Sequence, residues 1–286
     1  MDYFKVNNIE EALSLLDAYG ERGIVIGGGT LFVPHRTELY SEVEAVIDLE
    51  RTQLDYINFD GNKLKIGATT KLASILTSEV ICKGPFEVIA ETVREITPPE
   101  VRNMATVAGD ICISAEVDLP TTLIALGTEV VTRSTVGSRI LPLEEFYLGY
   151  LQNALKVDEI VTELQVPYPG LRTGAAFLKF KRISTDLPLL NAAAKVTLGD
   201  NDKCIDVKIV LGVGTNTPIR VKSAEELLLS TRCDKELIAK AANSAGDIEY
   251  ISDLRASAGL RKVWGKVGVK RVLWKALERA QYKEVS

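Results

Sequence analysis

The ten residues Val25-Ile26-Gly27-Gly28-Gly29-Thr30-Leu31-Phe32-Val33-Pro34 carry a short apolar strand straight into three consecutive glycines. Glycine tolerates positive φ and lets backbone N–H groups come close to a ligand, and successive N–H groups in such a turn form a concavity suited to phosphate. The stretch is not the G-x-G-x-x-G fingerprint, because Phe32 stands at the last glycine position, and it is not a Walker loop, because no Lys-Ser/Thr follows. Taken alone, these residues allow either a phosphate-binding turn or an ordinary tight turn.

Small residues also dominate a second stretch, from Val101 to Asp110. Its small side chains, Ala105 among them, would let a flat or extended ligand approach the backbone. Thr106 offers a hydroxyl, and the carboxylates of Asp110 and Asp118 can accept hydrogen bonds from ribityl or ribose hydroxyls. By itself, however, this stretch fits a surface loop of small residues with solvated aspartates better than a binding site.

Composition and charge narrow the class of protein. The chain has 286 residues, a size typical of one large or two modest domains, and its 34 basic and 39 acidic side chains leave a formal net charge of −5. No long basic run and no apolar run of membrane-spanning length is present, so we expect neither nucleic-acid binding nor membrane insertion. The start lacks the basic-then-apolar pattern of a signal peptide, which favours a cytoplasmic protein.

Histidine and cysteine usage argues against several kinds of active site. The one histidine, His35, leaves almost nothing for a Ser-His-Asp triad or a His-rich metal site, and we place it at the end of a loop. The four cysteines, Cys82, Cys112, Cys204 and Cys233, are far apart in sequence and form no C-x-x-C pair. Because that spacing fits neither an iron–sulfur cluster nor a zinc site, we expect no metal ligand in this chain.

The chain divides near Pro167-Tyr168-Pro169-Gly170, the best candidate for a domain joint. Before the joint, the hydrophobic pattern predicts an amphipathic helix at 8–19 capped by Asn8, whereas residues 100–118 show no clear period. After the joint, the pattern predicts three strands, at 174–182, 191–198 and 204–213. It then predicts three helices, at about 221–230, 234–245 and 253–281. The second half is therefore predicted to be an antiparallel sheet packed with helices, the α+β arrangement.

Six stretches taken in order resemble one family, the flavoproteins of xanthine dehydrogenase and carbon monoxide dehydrogenase. The triple-glycine stretch is similar to the family's first FAD loop. Val101 through Pro120 is similar to its second FAD loop, R-N-x-x-T-I-G-G-N followed at short distance by Asp-Leu. The other similar stretches are Ile66-Gly67-Ala68-Thr69-Thr70, 146–150 with 158–161, 177–182 with Asp186, and 253–261. The resemblance covers almost the whole chain, and six motifs in order are hard to obtain by chance.

This resemblance implies a fold of the vanillyl-alcohol oxidase and CO dehydrogenase flavoprotein type. Two subdomains, at about 1–55 and 56–168, would form an FAD-binding domain over residues 1–168. Residues 172–286 would form an α+β domain like the C-terminal domain of CO dehydrogenase flavoproteins. FAD would lie between the two subdomains, and the C-terminal domain would close over it.

The resemblance also implies roles for individual residues. Backbone N–H groups from Gly27 to Leu31 would hold the pyrophosphate, and Thr106 with its neighbours would form the second phosphate and ribityl contact. Ile160 and Val161 would lie near the isoalloxazine ring; the alternative is that they are ordinary core residues of a strand. Lys179 would lie near the edge of that ring; the alternative is that it is a solvated lysine on a strand. The expected FAD-binding residues are Ile26, Gly27, Gly28, Gly29, Thr30, Leu31, Val101, Ala105, Thr106, Gly109, Asp110, Ile113, Asp118, Ile160, Val161 and Lys179. No catalytic acid, base or nucleophile is expected in this chain.

The function that the resemblance implies is electron transfer within an oxidoreductase complex. The chain would be the FAD-binding subunit of a molybdenum hydroxylase and would pass electrons from [2Fe–2S] clusters through FAD to an external acceptor. The clusters and the molybdenum cofactor would sit on a small and a large partner subunit, in a heterotrimer or a dimer of heterotrimers. Two alternatives stay open: a self-sufficient FAD oxidoreductase of the same fold, and a binding module that has lost FAD.

Three departures from the family pattern bear on whether FAD is retained. Leu31 stands where the family usually has Asp or Ser. Ala108 and Asp110 replace the second-loop Gly and Asn, and a carboxylate facing phosphate would be repelled, so Asp110 is expected to point to a hydroxyl or to solvent. The segment from Asp110 to Asp118 is one residue short and lacks the usual proline. Neither the substrate of the complex, nor its terminal acceptor, nor the position of the partner interface can be read from the sequence.

Overall fold

A three-stranded parallel sheet forms the N-terminal subdomain of the computed structural model, which describes residues 1–113 and 116–282. The strands are β1 (Asp2–Lys5), β2 (Gly23–Ile26) and β3 (Ala45–Asp48), in the order β1-β3-β2. The helices that connect them are α1 (Ile9–Tyr19) and α2 (Phe32–Leu39). This alternation of strands and helices places the triple glycine at the carboxyl end of β2.

Helix α1 begins where the sequence predicts. The Asn8 side chain accepts a hydrogen bond from the Glu11 N–H at 2.8 Å, and Ala12 and Leu16 are buried on one face. Helix α2 was not predicted. His35 lies within that helix rather than at a loop end, because its eight residues carry no apolar stripe to reveal their period.

A five-stranded antiparallel sheet forms the second subdomain. Its strands are β4 (Ile57–Phe59), β5 (Lys63–Gly67), β6 (Glu129–Ser134), β7 (Gly137–Pro142) and β10 (Ile160–Pro167), in the order β4-β5-β10-β6-β7. Its helices are α3 (Leu72–Ile75), α4 (Glu79–Cys82), α5 (Glu87–Glu95), α6 (Pro99–Met104), α7 (Val107–Cys112) and α8 (Leu119–Leu126). A two-stranded hairpin, β8 (Tyr147–Gly149) with β9 (Gln152–Asn153), lies beside them.

The C-terminal domain is the predicted α+β arrangement. Its antiparallel strands are β11 (Thr173–Phe180), β12 (Leu190–Leu198), β13 (Cys204–Gly212) and β14 (Ile219–Arg220). Its helices are α9 (Lys222–Leu228), α10 (Lys235–Asn243) and α11 (Ala258–Tyr282). Helix α11 starts five residues later than predicted, because Asp253 accepts hydrogen bonds from the N–H groups of Arg255 and Ala256 and forms a turn instead.

The C-terminal sheet is covered on both faces. One face packs on α11, and the other contributes Phe177, Ala193 and Val210 to the core of the second subdomain. This packing confirms the predicted fold class, two subdomains of a flavoprotein with an α+β domain packed against them. Over the described ranges, no helix has both the length and the apolar character that crossing a bilayer requires.

Candidate cofactor site

The triple-glycine loop lies directly against the second small-residue stretch. A Cβ on Gly27 would lie 2.4 Å from the Thr106 Oγ1, and a Cβ on Gly28 would lie 1.9 Å from the Met104 carbonyl oxygen. Both distances are shorter than any real contact, so only glycine permits this approach. The structure therefore brings the two sequence-predicted loops together, although more than seventy positions separate them in the chain.

The glycine loop leads into α2 at the carboxyl end of a parallel strand. Gly29 has φ +66, and its carbonyl accepts from the Val33 N–H at 2.9 Å in the first turn of the helix. Within the described part of the chain, the N–H groups of Gly28 and Thr30 donate to no backbone carbonyl. Free donors at this edge of an α/β sheet, next to the start of a helix, are the arrangement that binds phosphate groups.

The second loop is held by residues 68–72. Thr106 caps α7 by accepting from the Gly109 N–H at 3.2 Å. Three backbone hydrogen bonds join the two segments: Leu72 N to Ala105 O (2.9 Å), Val107 N to Thr70 O (2.9 Å) and Ala108 N to Ala68 O (3.2 Å). The Ala68 N–H in turn donates to the Thr162 carbonyl of β10 at 3.0 Å, which ties this loop to the central strand.

Lys71 is a cation at this junction that the sequence reasoning missed. Its ammonium donates to the Met104 carbonyl at 3.1 Å, the same carbonyl that Gly28 approaches. It follows directly after the 66–70 stretch, and that adjacency was the available signal. An ammonium beside a loop of free N–H groups adds positive charge where an anion would bind.

A buried ion pair joins the second subdomain to the C-terminal domain. The Lys179 ammonium lies 2.8 Å from Asp118 Oδ2 and also donates to the Glu95 carbonyl at 2.9 Å. The Asn191 amide donates to the other Asp118 oxygen at 3.0 Å. The side chains of Asp118 and Lys179 are 3% and 2% exposed, which excludes the interpretation of Lys179 as a solvated strand lysine. Burial raises the pKa of Asp118, against the opposing effects of Lys179 and Asn191.

Asp110 carries a second buried carboxyl next to this pair. It does not face solvent, and its Oδ2 has no hydrogen-bond partner among the residues that the structure describes. Burial, together with the negative charge of Asp118, raises the pKa of Asp110 to about 7. The Tyr147 hydroxyl nearby is likewise buried without a partner in the described ranges, and burial raises the pKa of that phenol. Tyr147 belongs to the 146–150 stretch, but the sequence assigned it no role.

The remaining predicted residues frame the site from the core side. Ile160 packs with the core of the N-terminal subdomain and Val161 with that of the second subdomain, so the start of β10 lies between the two cores. Val101 is half-buried on α6, and Ile113 is half-buried at the end of α7. A direct contact of these four side chains with a flavin stays a prediction.

The fold and the site together define a dinucleotide-binding flavoprotein with two subdomains. Residues 1–169 match the FAD binding domain in molybdopterin dehydrogenase, and residues 175–276 match the CO dehydrogenase flavoprotein C-terminal domain. The chain therefore belongs to the family of FAD-binding subunits of molybdenum hydroxylases, of the xanthine dehydrogenase and carbon monoxide dehydrogenase type, and is a subunit of an oxidoreductase.

Individual relatives match over nearly their full length. The chain is 31% identical to the 6-hydroxypseudooxynicotine dehydrogenase complex subunit alpha of Paenarthrobacter nicotinovorans, covering 98% of this chain and 95% of the relative. It is 28% identical to the carbon monoxide dehydrogenase medium chain of Afipia carboxidovorans over 98% of both. The solved carbon monoxide dehydrogenase of Hydrogenophaga pseudoflava that lacks the Mo-pyranopterin moiety matches with a TM-score of 0.93 and 29% identity, covering 98% of each chain.

The residues present fit an FAD. The approach of Gly27 and Gly28 to the second loop leaves no room for a Cβ, so backbone donors line the junction. Thr69 Oγ1 and Asp110 Oδ2 are buried polar atoms without partners in the described ranges, and polar groups of this kind ordinarily acquire one. A ligand that carries both phosphates and hydroxyls satisfies both features.

Proposed function

We propose that this chain binds FAD between its two loops and passes electrons from [2Fe–2S] clusters on a partner subunit, through the flavin, to an external acceptor. The single observation that carries the proposal is the contact of the Gly27–Gly28 turn with Met104 and Thr106. This contact assembles one set of backbone donors from two distant segments. When bound, FAD supplies the ability to exchange one or two electrons, and the protein supplies binding and orientation.

The N–H groups from Gly27 to Leu31 would hold the pyrophosphate, with Lys71 adding positive charge. Leu31 offers no side-chain hydrogen bond at this position, so its contribution is limited to its backbone. Thr106 and Gly109 are tied to each other by the α7 cap, which presents the first turn of that helix to the ligand.

Asp110 is suited to a ribityl or ribose hydroxyl rather than to a phosphate. With a pKa of about 7 the buried carboxyl is substantially protonated at neutral pH, and a neutral carboxyl both donates and accepts as an amide does. The Asp118 carboxyl keeps lone pairs beyond those used by Lys179 and Asn191 and can accept from a second hydroxyl. Lys179, held at the end of this network, would lie near the edge of the isoalloxazine ring.

The partners in this proposal are an iron–sulfur small subunit and a molybdopterin large subunit, in a heterotrimer or a dimer of heterotrimers. The relatives' names support it, since they describe a subunit alpha and medium chains. The proposal includes a cytoplasmic location and domains over 1–168 and 172–286. Strand β10 ends at Pro167 and β11 begins at Thr173, which is consistent with these domain limits.

Absorption spectroscopy of the purified chain with Gly28→Ala tests FAD binding. We expect the wild-type chain to show the flavin band at about 450 nm. Gly28→Ala should lose this band, because the added Cβ would lie 1.9 Å from the Met104 carbonyl oxygen. Gly259→Ala is the matched control, since its Cβ meets only the Ser257 Oγ at 4.0 Å, and it should keep the band. A colourless wild type that FAD cannot reconstitute supports the alternative of a binding module without cofactor.

Purification of the native complex tests the electron route. Flavin, iron and molybdenum should be found together, and a substrate that reduces the molybdenum centre should bleach the flavin only when the iron–sulfur subunit is present. A flavin-containing chain that turns over a substrate without partners would instead favour the self-sufficient oxidoreductase.

A further inference from the structure

Helix α11 differs in charge from the rest of the chain. Over Ala258–Tyr282 it carries seven basic side chains and one acidic side chain, Glu278. Because the helix contributes +6 and the whole chain has a formal net charge of −5, the remaining residues carry −11. The positive charge of α11 is therefore a local feature of one element in an acidic protein.

Three lysines form one row along the outer side of α11. Lys262, Lys266 and Lys270 follow each other at intervals of four residues, which places them on the same side of the helix. The close approach of the Gly246 backbone holds the first two side by side. A Cβ on Gly246 would lie 2.5 Å from the Cε of Lys266 and 3.4 Å from the Cε of Lys262.

The lysine row has no carboxylate to balance it. Within the described part of the chain, the ion pairs of α11 involve Arg261, Lys275 and Arg279, and none includes a lysine of the row. Like charges four residues apart repel one another and destabilise a helix. An acidic surface placed against the row would remove this repulsion.

Apolar side chains lie beside the lysine row and face solvent. Val263 is 57% exposed and Trp274 is 38% exposed. They are eleven residues apart, about three helical turns, so they share one face of α11. The ammonium of Lys235, on α10, lies 5.7 Å from the centroid of the Trp274 ring and extends the positive charge to this end of the face. The outer face of α11 thus combines an apolar strip with a row of cations.

We propose that the outer face of α11 docks an acidic protein surface on a partner subunit of the complex. The face consists of Lys235, Lys262, Val263, Lys266, Lys270 and Trp274. Carboxylates of the partner would pair with the lysine row, and an apolar centre between them would cover Val263 and Trp274. This inference rests on the proposed function, because that function requires partner subunits.

The position of the face favours a permanently assembled subunit over a transient electron acceptor. Helix α11 packs on the side of the C-terminal sheet that carries Ala192 and Ala194, whereas Lys179 points from the other side towards Asp118. An acceptor that docks only to collect electrons would have to bind beside the flavin edge, on the Lys179 side. The α11 face therefore fits a contact that holds the complex together.

The charge of the rest of the chain disfavours an anionic membrane as the occupant. A bilayer is a broad plane, so it would meet the residues around α11 as well as the helix itself. Those residues carry a large negative charge, which anionic headgroups would repel. A protein surface matched to the helix avoids that repulsion and also covers the apolar strip.

Zero-length cross-linking of the native complex tests the proposal. A carbodiimide joins an ammonium to a carboxylate that it contacts, and mass spectrometry identifies the joined peptides. We expect Lys262, Lys266 or Lys270 to be joined to an Asp or Glu of a partner subunit. Cross-links of these lysines only to Asp247 or Glu249 of the same chain, or to a second copy of this chain, would overturn the proposal.

Charge reversal gives an independent measurement. The chain is tagged, purified with its complex from the native source, and the amount of each partner subunit per chain is measured. The triple variant Lys262→Glu, Lys266→Glu, Lys270→Glu should retain the partner at least about tenfold less well, because like charges across an interface oppose association. Its flavin band should stay, since the outer face of α11 contacts neither FAD loop.

The matched control reverses three exposed lysines elsewhere, Lys83, Lys203 and Lys222. It changes the net charge equally and should keep the partner subunits. Equal retention by the α11 variant and by wild type would contradict the proposal. So would binding of the wild-type chain to phosphatidylserine vesicles that the α11 variant loses, if no partner cross-link is found. A complex that lacks flavin would refute the proposed electron transfer and leave this docking measurement intact.

Discussion

At the scale of single residues, one departure from the family pattern gains a physical explanation. Asp110 stands where the family has Asn, and a charged carboxylate there would be repelled by phosphate. The structure buries this carboxyl beside Asp118, which favours its neutral form. A neutral carboxyl offers one O–H donor and a carbonyl acceptor, whereas the Asn amide offers two N–H donors and a carbonyl acceptor. The substitution therefore keeps a donor beside an acceptor but makes the donor depend on pH.

The stability of the FAD-free chain should therefore depend on pH through Asp110. The pKa of Asp110 is about 7 in the folded state, against an ordinary value of 3.8. Between pH 3.8 and pH 7 the folded state therefore holds a proton that the unfolded state has lost. The free energy of unfolding falls as the pH rises through this window. Asp110→Asn should remove this dependence. It should also raise the free energy of unfolding at pH 8 by a few kcal/mol, since each pKa unit corresponds to about 1.4 kcal/mol. Urea unfolding at pH 5, 6.5 and 8 measures the effect.

The control for this prediction is Asp17→Asn on the exposed face of α1. The groups that act on Asp110 are Asp118, Lys179 and the backbone N–H of Leu119, and all three stay unchanged in both variants. If the free energy of unfolding changed with pH in the same way for Asp110→Asn and for wild type, that result would contradict the assignment of a raised pKa to this carboxyl.

At the scale of elements, the second loop owes its shape to a short helix and its cap. Helix α7 has six residues, fewer than two turns, so it displays no apolar stripe, and residues 100–118 read as aperiodic. What positions α7 is the Thr106 cap and the backbone bonds to residues 68–70. Helices this short are stabilised by tertiary contacts rather than by their own propensity.

Thr106→Val should loosen this loop. The substitution keeps the shape of the side chain but removes the oxygen that accepts from Gly109, at an expected cost of about 1 kcal/mol. Thr106→Ser keeps the hydroxyl and should recover most of that stability and of the FAD affinity. Urea unfolding and FAD titration compare the two variants, and equal affinities for Val and Ser would argue against any role of the cap in binding.

At the scale of the whole molecule, the proposed FAD would contact the N-terminal subdomain, the second subdomain and the C-terminal domain. The N-terminal subdomain has its own core, and so do the second subdomain and the C-terminal domain. The glycine loop belongs to the first, Thr106 and Asp118 to the second, and Lys179 to the third. One ligand that contacts all three would couple their unfolding.

FAD should therefore raise the unfolding temperature of the FAD-stripped chain. A ligand at a hundred times its Kd stabilises by about 2.7 kcal/mol, which corresponds to a rise of roughly 5 °C or more for a protein of this size. Riboflavin lacks the pyrophosphate and should give a much smaller rise. Calorimetry at increasing ligand concentration makes the comparison, and equal effects of riboflavin and FAD would count against the glycine loop as the pyrophosphate site.

Much of the architecture was readable from local sequence. The cap and stripe of α1, the strands of the C-terminal domain and its α+β class follow from periodicity and turn residues, because these signals act over a few positions. The two FAD loops and the family were recognisable because six stretches kept their residues and order. Short elements such as α2 and α7 were missed, since fewer than about three turns give no reliable period.

Only the tertiary structure decided which groups share an environment. Gly28 and Met104 are neighbours in space but distant in the chain, and so are Lys179 and Asp118. The protonation of Asp110 depends on burial and on neighbouring charges, which exist only after the sheets have packed. Local sequence thus determined the elements and the kind of ligand, whereas long-range packing determined the electrostatics of the site.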